Sequence, residues 1–105
     1  MNFKNEDKKQ VINVNDIDNL LGNIELIDIR ETYEFERGSM RTAKNIPMGT
    51  LLENPQEYMK KETTYYIMCQ SGGRSTMACE MLSKQGYCVI NVVGGMGSYV
   101  GTKRQ

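Results

Sequence analysis

The order of apolar patterns in this 105-residue chain predicts an α/β fold, a three-layer domain with a parallel sheet covered by helices on both faces. Three observations carry that prediction. Strand patterns alternate with helical ones through short connections, so each crossover must carry the chain back across the sheet. The run Thr63 to Met68 is apolar at odd and even positions alike, as expected of a strand buried on both faces. It ends in Cys69-Gln70-Ser71-Gly72-Gly73-Arg74-Ser75, at the C-terminal strand edge where pockets of such sheets open.

Taken in order, residues 1–9 form a polar, lysine-rich segment outside the domain, which is expected to span 10–101 and to leave a polar tail at 102–105. Val11 to Val14 is the first strand. Asn13 or Asn15 is placed to cap a helix carrying Ile17, Leu20 and Leu21 on one face and ended by Gly22. Ile24 to Ile29 is the second strand, Glu31 to Arg37 a short helix ended by Gly38, and 38–42 an exposed connection. Ala43 to Ile46 is a brief third strand stopped by Pro47. Asn54-Pro55 reads as a cap followed by proline at the first helical position, opening a helix through Tyr58 and Met59 to about Lys60. After the Thr63 to Met68 strand, Ser75 reads as the cap of a helix with Ala78, Met81 and Leu82 inward and Gly86 at its end. Cys88 to Val93 is the fifth strand. Gly94-Gly95 turns the chain into a final short helix around Met96 to Val100, or flanks the mouth of the pocket.

The chemistry is expected at Cys69. Only the thiolate is a good nucleophile, and an unperturbed thiol with a pKa of ~8.5 is mostly protonated at neutral pH. Gly72 and Gly73 let the loop curl its N–H groups toward one centre, and the following helix dipole and the Arg74 guanidinium favour negative charge there. The chain contains no histidine, so no Cys-His or Ser-His pair can form from its own residues. The anion must come from its electrostatic setting. Asp28 and Arg30 stand at the end of the second strand, where a buried carboxylate needs a partner. Either Asp28 takes backbone or side-chain donors while Arg30 pairs with Glu31 or Glu34, or the two lie at the rim of the Cys69 pocket.

At these residues the chain resembles the rhodanese family of sulfurtransferases, whose active loop reads Cys-x-x-Gly-x-Arg-Ser in many single-domain members. Leu26-Ile27-Asp28-Ile29-Arg30-Glu31 with Tyr33-Glu34-Phe35 resembles the family's Asp-x-Arg segment, and Asn91-Val92-Val93-Gly94-Gly95-Met96 its closing signature. The resemblance implies a five-stranded sheet with the active strand inside it. It also implies sulfur transfer through a Cys69 persulfide, from a small anionic donor such as thiosulfate to cyanide or to a small or thioredoxin-like thiol. Gln70, Ser71, Gly72, Gly73, Arg74 and Ser75 would bind substrate, with Asp28 and Arg30 supporting. No metal or organic cofactor is implied. Where the family has Gly-His-Ile-Pro-Gly-Ala, this chain has Gly38-Ser39-Met40-Arg41-Thr42-Ala43, and Tyr99 stands where tryptophan is usual.

Two other classes compete. A non-catalytic or redox-sensing rhodanese-like binding module would use the same thiol differently. Phosphatases and arsenate reductases resemble Cys-x5-Arg, whereas only four residues separate Cys69 from Arg74, a ring one amide short for phosphate. Thirteen basic residues balance thirteen acidic ones, which gives no nucleic-acid footprint. No apolar run reaches the ~18 residues of a membrane span. Cys69, Cys79 and Cys88 form no Cys-x-x-Cys pair, which disfavours zinc ribbons, and their odd count suits a reducing cytoplasm. Cys79 and Cys88 are expected to be small core residues, with a resolving thiol for Cys69 as the alternative. The eight methionines are expected mostly to fill the core.

Overall fold

The computed structural model describes residues 10–105. The expected lysine-rich segment at 1–9 lies outside the described residues. Five strands, β1 (Val11–Asn13), β2 (Glu25–Asp28), β3 (Lys44–Asn45), β4 (Thr64–Met68) and β5 (Cys88–Val93), form one sheet in the order β1-β5-β4-β2-β3. Every neighbouring pair is parallel. The described residues also form four α-helices, α1 (Thr32–Glu36), α2 (Met48–Glu53) and α3 (Gly73–Lys84) between strands and α4 (Gly95–Ser98) after β5. The α/β three-layer architecture and the interior position of β4 agree with the sequence reading.

Alternation along the strands sends successive side chains to opposite faces, and so divides the core into two layers. Ile27, Ile29, Ile67 and Val89 pack with Leu51 of α2 and with Ala78 and Leu82 of α3. Leu26, Met68 and Val92 pack on the other side with Val14, Ile17, Met40, Met96 and Tyr99. β4 supplies both layers, which is why its apolar residues fall at consecutive positions.

Several local expectations are corrected. The helix from Asn13 or Asn15 to Leu21 is instead two 3-10 turns, Val14–Asp16 and Asp18–Leu20, the first capped by Asn13, whose side chain accepts from the Asn15 N–H at 2.8 Å. An α-helix stands at Met48–Glu53, ahead of Asn54-Pro55, which opens only the 3-10 turn Pro55–Glu57. The connection 38–42 is not uniformly exposed, because Ser39 and Met40 are fully buried. At the polar tail, Met40 and Arg104 form an antiparallel bridge, and the Gln105 N–H donates to Ser39 O at 2.9 Å. Cys88 is exposed, not a core residue, while Cys79 is half-buried against the first layer. Met40, Met59, Met68 and Met96 do fill the core, but Met77 and Met81 of α3 are exposed.

Candidate active site

Register brings the site together. Asp28 of β2 pairs with Met68 of β4, so Arg30 and Cys69 leave the sheet as neighbours at its C-terminal edge. β5 runs on the other side of β4 and delivers Gly94 and α4 to the same edge. Gly72 ends the loop with φ 104°, a left-handed conformation glycine adopts without strain, and α3 begins at the next residue. Ser75 is therefore not the cap but lies inside the first turn.

That shift gives Ser75 a different job. The Gly72 and Ser75 N–H groups donate to Cys69 Sγ at 3.1 and 3.3 Å, and the Ser75 hydroxyl lies 3.5 Å from the sulfur. In the thiol form Sγ–H donates to Ser75 Oγ, whose own proton goes to Gly72 O at 3.2 Å. Ionisation frees the hydroxyl to turn toward the anion. Burial is the largest single influence on Cys69 and pushes its pKa up; the Ser75 hydroxyl and the amides of Ser75, Gly72 and Ser71 together outweigh it, leaving the pKa below the ordinary thiol value. Cys69 has 0% exposed surface, whereas its loop neighbours Gln70, Ser71 and Gly73 are exposed. The sulfur sits directly under the loop that contacts it.

α4 holds that loop from behind. The Met96 and Gly97 N–H groups donate to Cys69 O and Gln70 O at 3.0 and 2.8 Å. A side chain on Gly95, at φ +57°, would strike Cys69 O and lie 2.7 Å from Gln70 C. Glycine is required for this backbone-on-backbone approach.

Arg74 does not hydrogen-bond the sulfur. Its Nη1 and Nη2 donate to Oε1 and Oε2 of Glu34 at 2.8 and 2.9 Å, joining the active loop to α1. Glu34 also accepts from the Glu31 N–H at 2.9 Å, the return half of a capping box at the start of α1. The Arg74 hydrogen bonds are the main cause that lowers the Glu34 pKa to about 2. The same pair raises the pKa of Arg74.

Arg30 pairs with Asp28, not with Glu31 or Glu34. Its Nε and Nη2 reach Asp28 Oδ1 and Oδ2 at 3.0 and 2.8 Å, and both residues are buried. Ser39 completes the carboxylate by donating to Oδ2 at 2.6 Å. The free arm of Arg30, Nη1, donates to Gln70 Oε1 at 3.0 Å and so ties the buried pair to the active loop. Ser39 occupies the region where the family motif has histidine, and supplies a neutral donor there. Sequence reasoning did not single out Glu34, Ser39 or Gly97 as parts of the site. The Glu31-x-x-Glu34 spacing was the available signal for the first; the other two act through partners far along the chain.

Cys79 shows no nucleophilic poise, since burial, and secondarily the charge of Cys69, push its thiol up to about 12. Among the described residues, no cluster of three or more histidine, cysteine, aspartate or glutamate side chains is arranged to hold a metal.

Fold and site together define an α/β protein whose parallel sheet delivers one thiol into a ring of main-chain amides. The chain belongs to the rhodanese-like domain family, which matches residues 13–102. It is 40% identical over 76 residues to YtwF of Bacillus subtilis, a protein provisionally named a sulfurtransferase, the match covering 72% of this chain and 73% of that one. It is 35% identical over 89 residues to a mitochondrial protein of Schizosaccharomyces pombe, provisionally named a thiosulfate sulfurtransferase, covering 73% of this chain but 58% of that protein. The crystal structure of a rhodanese-like domain protein from Staphylococcus aureus superposes with a TM-score of 0.81 at 30% identity, covering 91% of this chain and 96% of that one.

Proposed function

We propose that this domain is a sulfurtransferase that moves a sulfane sulfur through a persulfide on Cys69. The observation that carries the reading is the convergence of the Gly72 and Ser75 amides on a sulfur whose pKa is lowered despite its burial. With thiosulfate as donor, the Cys69 thiolate attacks the outer sulfur. The new bond joins the two sulfurs, and the thiosulfate S–S bond breaks, its electron pair leaving with sulfite. The persulfide then yields its outer sulfur to cyanide or to a small or thioredoxin-like thiol, and Cys69 returns to the thiolate. No electrons enter or leave overall.

Gln70 to Ser75 form the binding loop in this reading, with the Ser71, Gly72 and Ser75 amides holding charge on sulfur. Arg74 acts as a cation at the loop rim, steadied by Glu34, rather than as a direct ligand of the thiol. Asp28 and Arg30 support the loop through Gln70. The name carried by the S. pombe relative supports thiosulfate as donor. The three free cysteines support a reducing, cytoplasmic setting.

Thiocyanate formation from thiosulfate and cyanide tests the reading. The wild-type protein should turn over and Cys69→Ala should not; a Cys69→Ser protein that still supports the cellular role would favour the binding-module alternative.

A further inference from the structure

More hydrogen bonds are directed at the carbonyl of Gly72 than it can accept well. Its oxygen offers two lone pairs, and three donors converge on it: the Thr76 N–H at 3.0 Å, the Thr76 hydroxyl at 2.7 Å and the Ser75 hydroxyl at 3.2 Å. The two from Thr76 are the shorter and fill both lone pairs. The Ser75 hydroxyl is the surplus donor, and it is also the one that lies 3.5 Å from Cys69 Sγ. A threonine hydroxyl bonding the carbonyl four residues back is ordinary in helices. Here that carbonyl belongs to the residue whose N–H donates to the sulfur.

A second contact fixes the direction of the Thr76 hydroxyl. Asn91 of β5 is 6% exposed and stands two residues on from Val89, on the sheet face that α3 covers. Its Nδ2 donates to Thr76 Oγ1 at 3.0 Å, while its Oδ1 is buried with no donor among the described residues. A buried acceptor of this kind is rarely left unmatched. Rotating the amide would give that oxygen the Thr76 proton, but would take the proton from Gly72 O. The oxygen stays unmatched, and the proton stays on the active loop.

From this arrangement we infer that Thr76 is a positioning residue for the Cys69 thiolate: held by Asn91, its hydroxyl occupies Gly72 O and so releases the Ser75 hydroxyl to the sulfur. When the thiol loses its proton, the Ser75 O–H turns from Gly72 O to Sγ, and the carbonyl keeps two donors throughout. Without the Thr76 hydroxyl, the same turn would leave Gly72 O with its helical N–H alone. Thr76 acts through Ser75 and not on the sulfur itself. The inference rests on the sulfurtransferase reading for its consequence in turnover, and adds a residue to that same site. The charged groups on the elements packed around the loop are the pairs of Arg74 with Glu34 and Arg30 with Asp28, which every variant below keeps.

The test is the rate at which iodoacetamide alkylates Cys69 as a function of pH, in protein that also carries Cys79→Ala and Cys88→Ala; it needs no sulfur donor. Thr76→Val keeps the branched shape and removes the hydroxyl. The midpoint of the profile should move up, and the rate at a pH below it should fall by about threefold or more. Thr76→Ser should keep both at the wild-type position. In a Ser75→Ala background, Thr76→Val should change neither, because no hydroxyl remains to be released. Asn91→Leu should move the profile in the same direction as Thr76→Val. An unmoved profile in folded Thr76→Val or Asn91→Leu protein, or an equal shift with and without the Ser75 hydroxyl, would overturn the inference. If the profiles respond as stated but thiosulfate leaves no sulfur on Cys69, the inference stands and the sulfurtransferase reading alone fails.

Discussion

Arg74 leaves the active loop to make a bidentate ion pair with Glu34, at 2.8 and 2.9 Å, so the loop cation and the first helix form one unit. The side chains are 39% and 19% exposed, and solvent screening limits what the pair adds to stability to about 1 kcal/mol or less.

Its pH signature has a defined sign. The folded Glu34 value, about 2, lies below the ~4.3 of an unfolded glutamate. The pair therefore adds stability above the unfolded value and loses it as pH falls through the window toward about 2. Glu34→Gln should flatten that part of the acid limb in urea denaturation followed across this range. An acid limb identical to wild type would show that Glu34 is not a source of it.

Ser75→Ala removes the hydroxyl that turns toward the ionised sulfur. A hydrogen bond to a charged group is worth ~1.5–3 kcal/mol, and the 3.5 Å separation points to the low end. The Cys69 pKa should rise, measured by thiolate absorbance against pH in a protein also carrying Cys79→Ala and Cys88→Ala. An unmoved midpoint would assign the low pKa to the amides alone.

Two glycines give opposite results. Gly95→Ala places a Cβ into Cys69 O and Gln70, so the active loop must shift and transfer activity should be lost. Gly49→Ala, in α2, meets nothing within 4 Å and should be neutral or stabilising by up to ~1 kcal/mol. Comparable thermal stability and activity in the two variants would contradict the α4 clamp.

Asp28 is the keystone beneath the loop. Ser39→Ala takes away one of its donors and should cost ~1–2 kcal/mol, because Arg30 still holds the carboxylate. Asp28→Asn leaves the Arg30 charge buried and unmatched and should cost ~3–5 kcal/mol. Urea unfolding of the two variants checks the order, and equal losses would mean that the Arg30 charge finds another partner.

These same residues show how far sequence reaches. β4, the loop after it and α3 were legible because their signals are local: an unbroken apolar run, paired glycines, then a helical stripe. α2 was not, since Gly49 and Thr50 are poor helix formers and Pro47 sits at its cap; packing of Leu51 into the core, not propensity, forms that helix. Ser39 lies in a run that resembles a surface connection, and the partners it is buried with are distant in the chain: Asp28, 11 residues before it, and Gln105. Arg104 read only as part of a polar tail because the bridge to Met40 joins distant regions of the chain. Arg74 was expected to favour negative charge at the loop centre, and its ion pair with Glu34 was hidden for the same reason: Glu34 is 40 residues distant.

The central claim is that amides and a hydroxyl, without histidine, keep the Cys69 sulfur anionic enough to accept sulfane sulfur. Intact-protein mass spectrometry after incubation with thiosulfate tests it most directly. The mass should increase by one sulfur atom, localised to Cys69, reversed by cyanide and absent in Cys69→Ala. No added mass on the folded wild-type protein, or sulfur appearing on the exposed Cys88 instead, would contradict it.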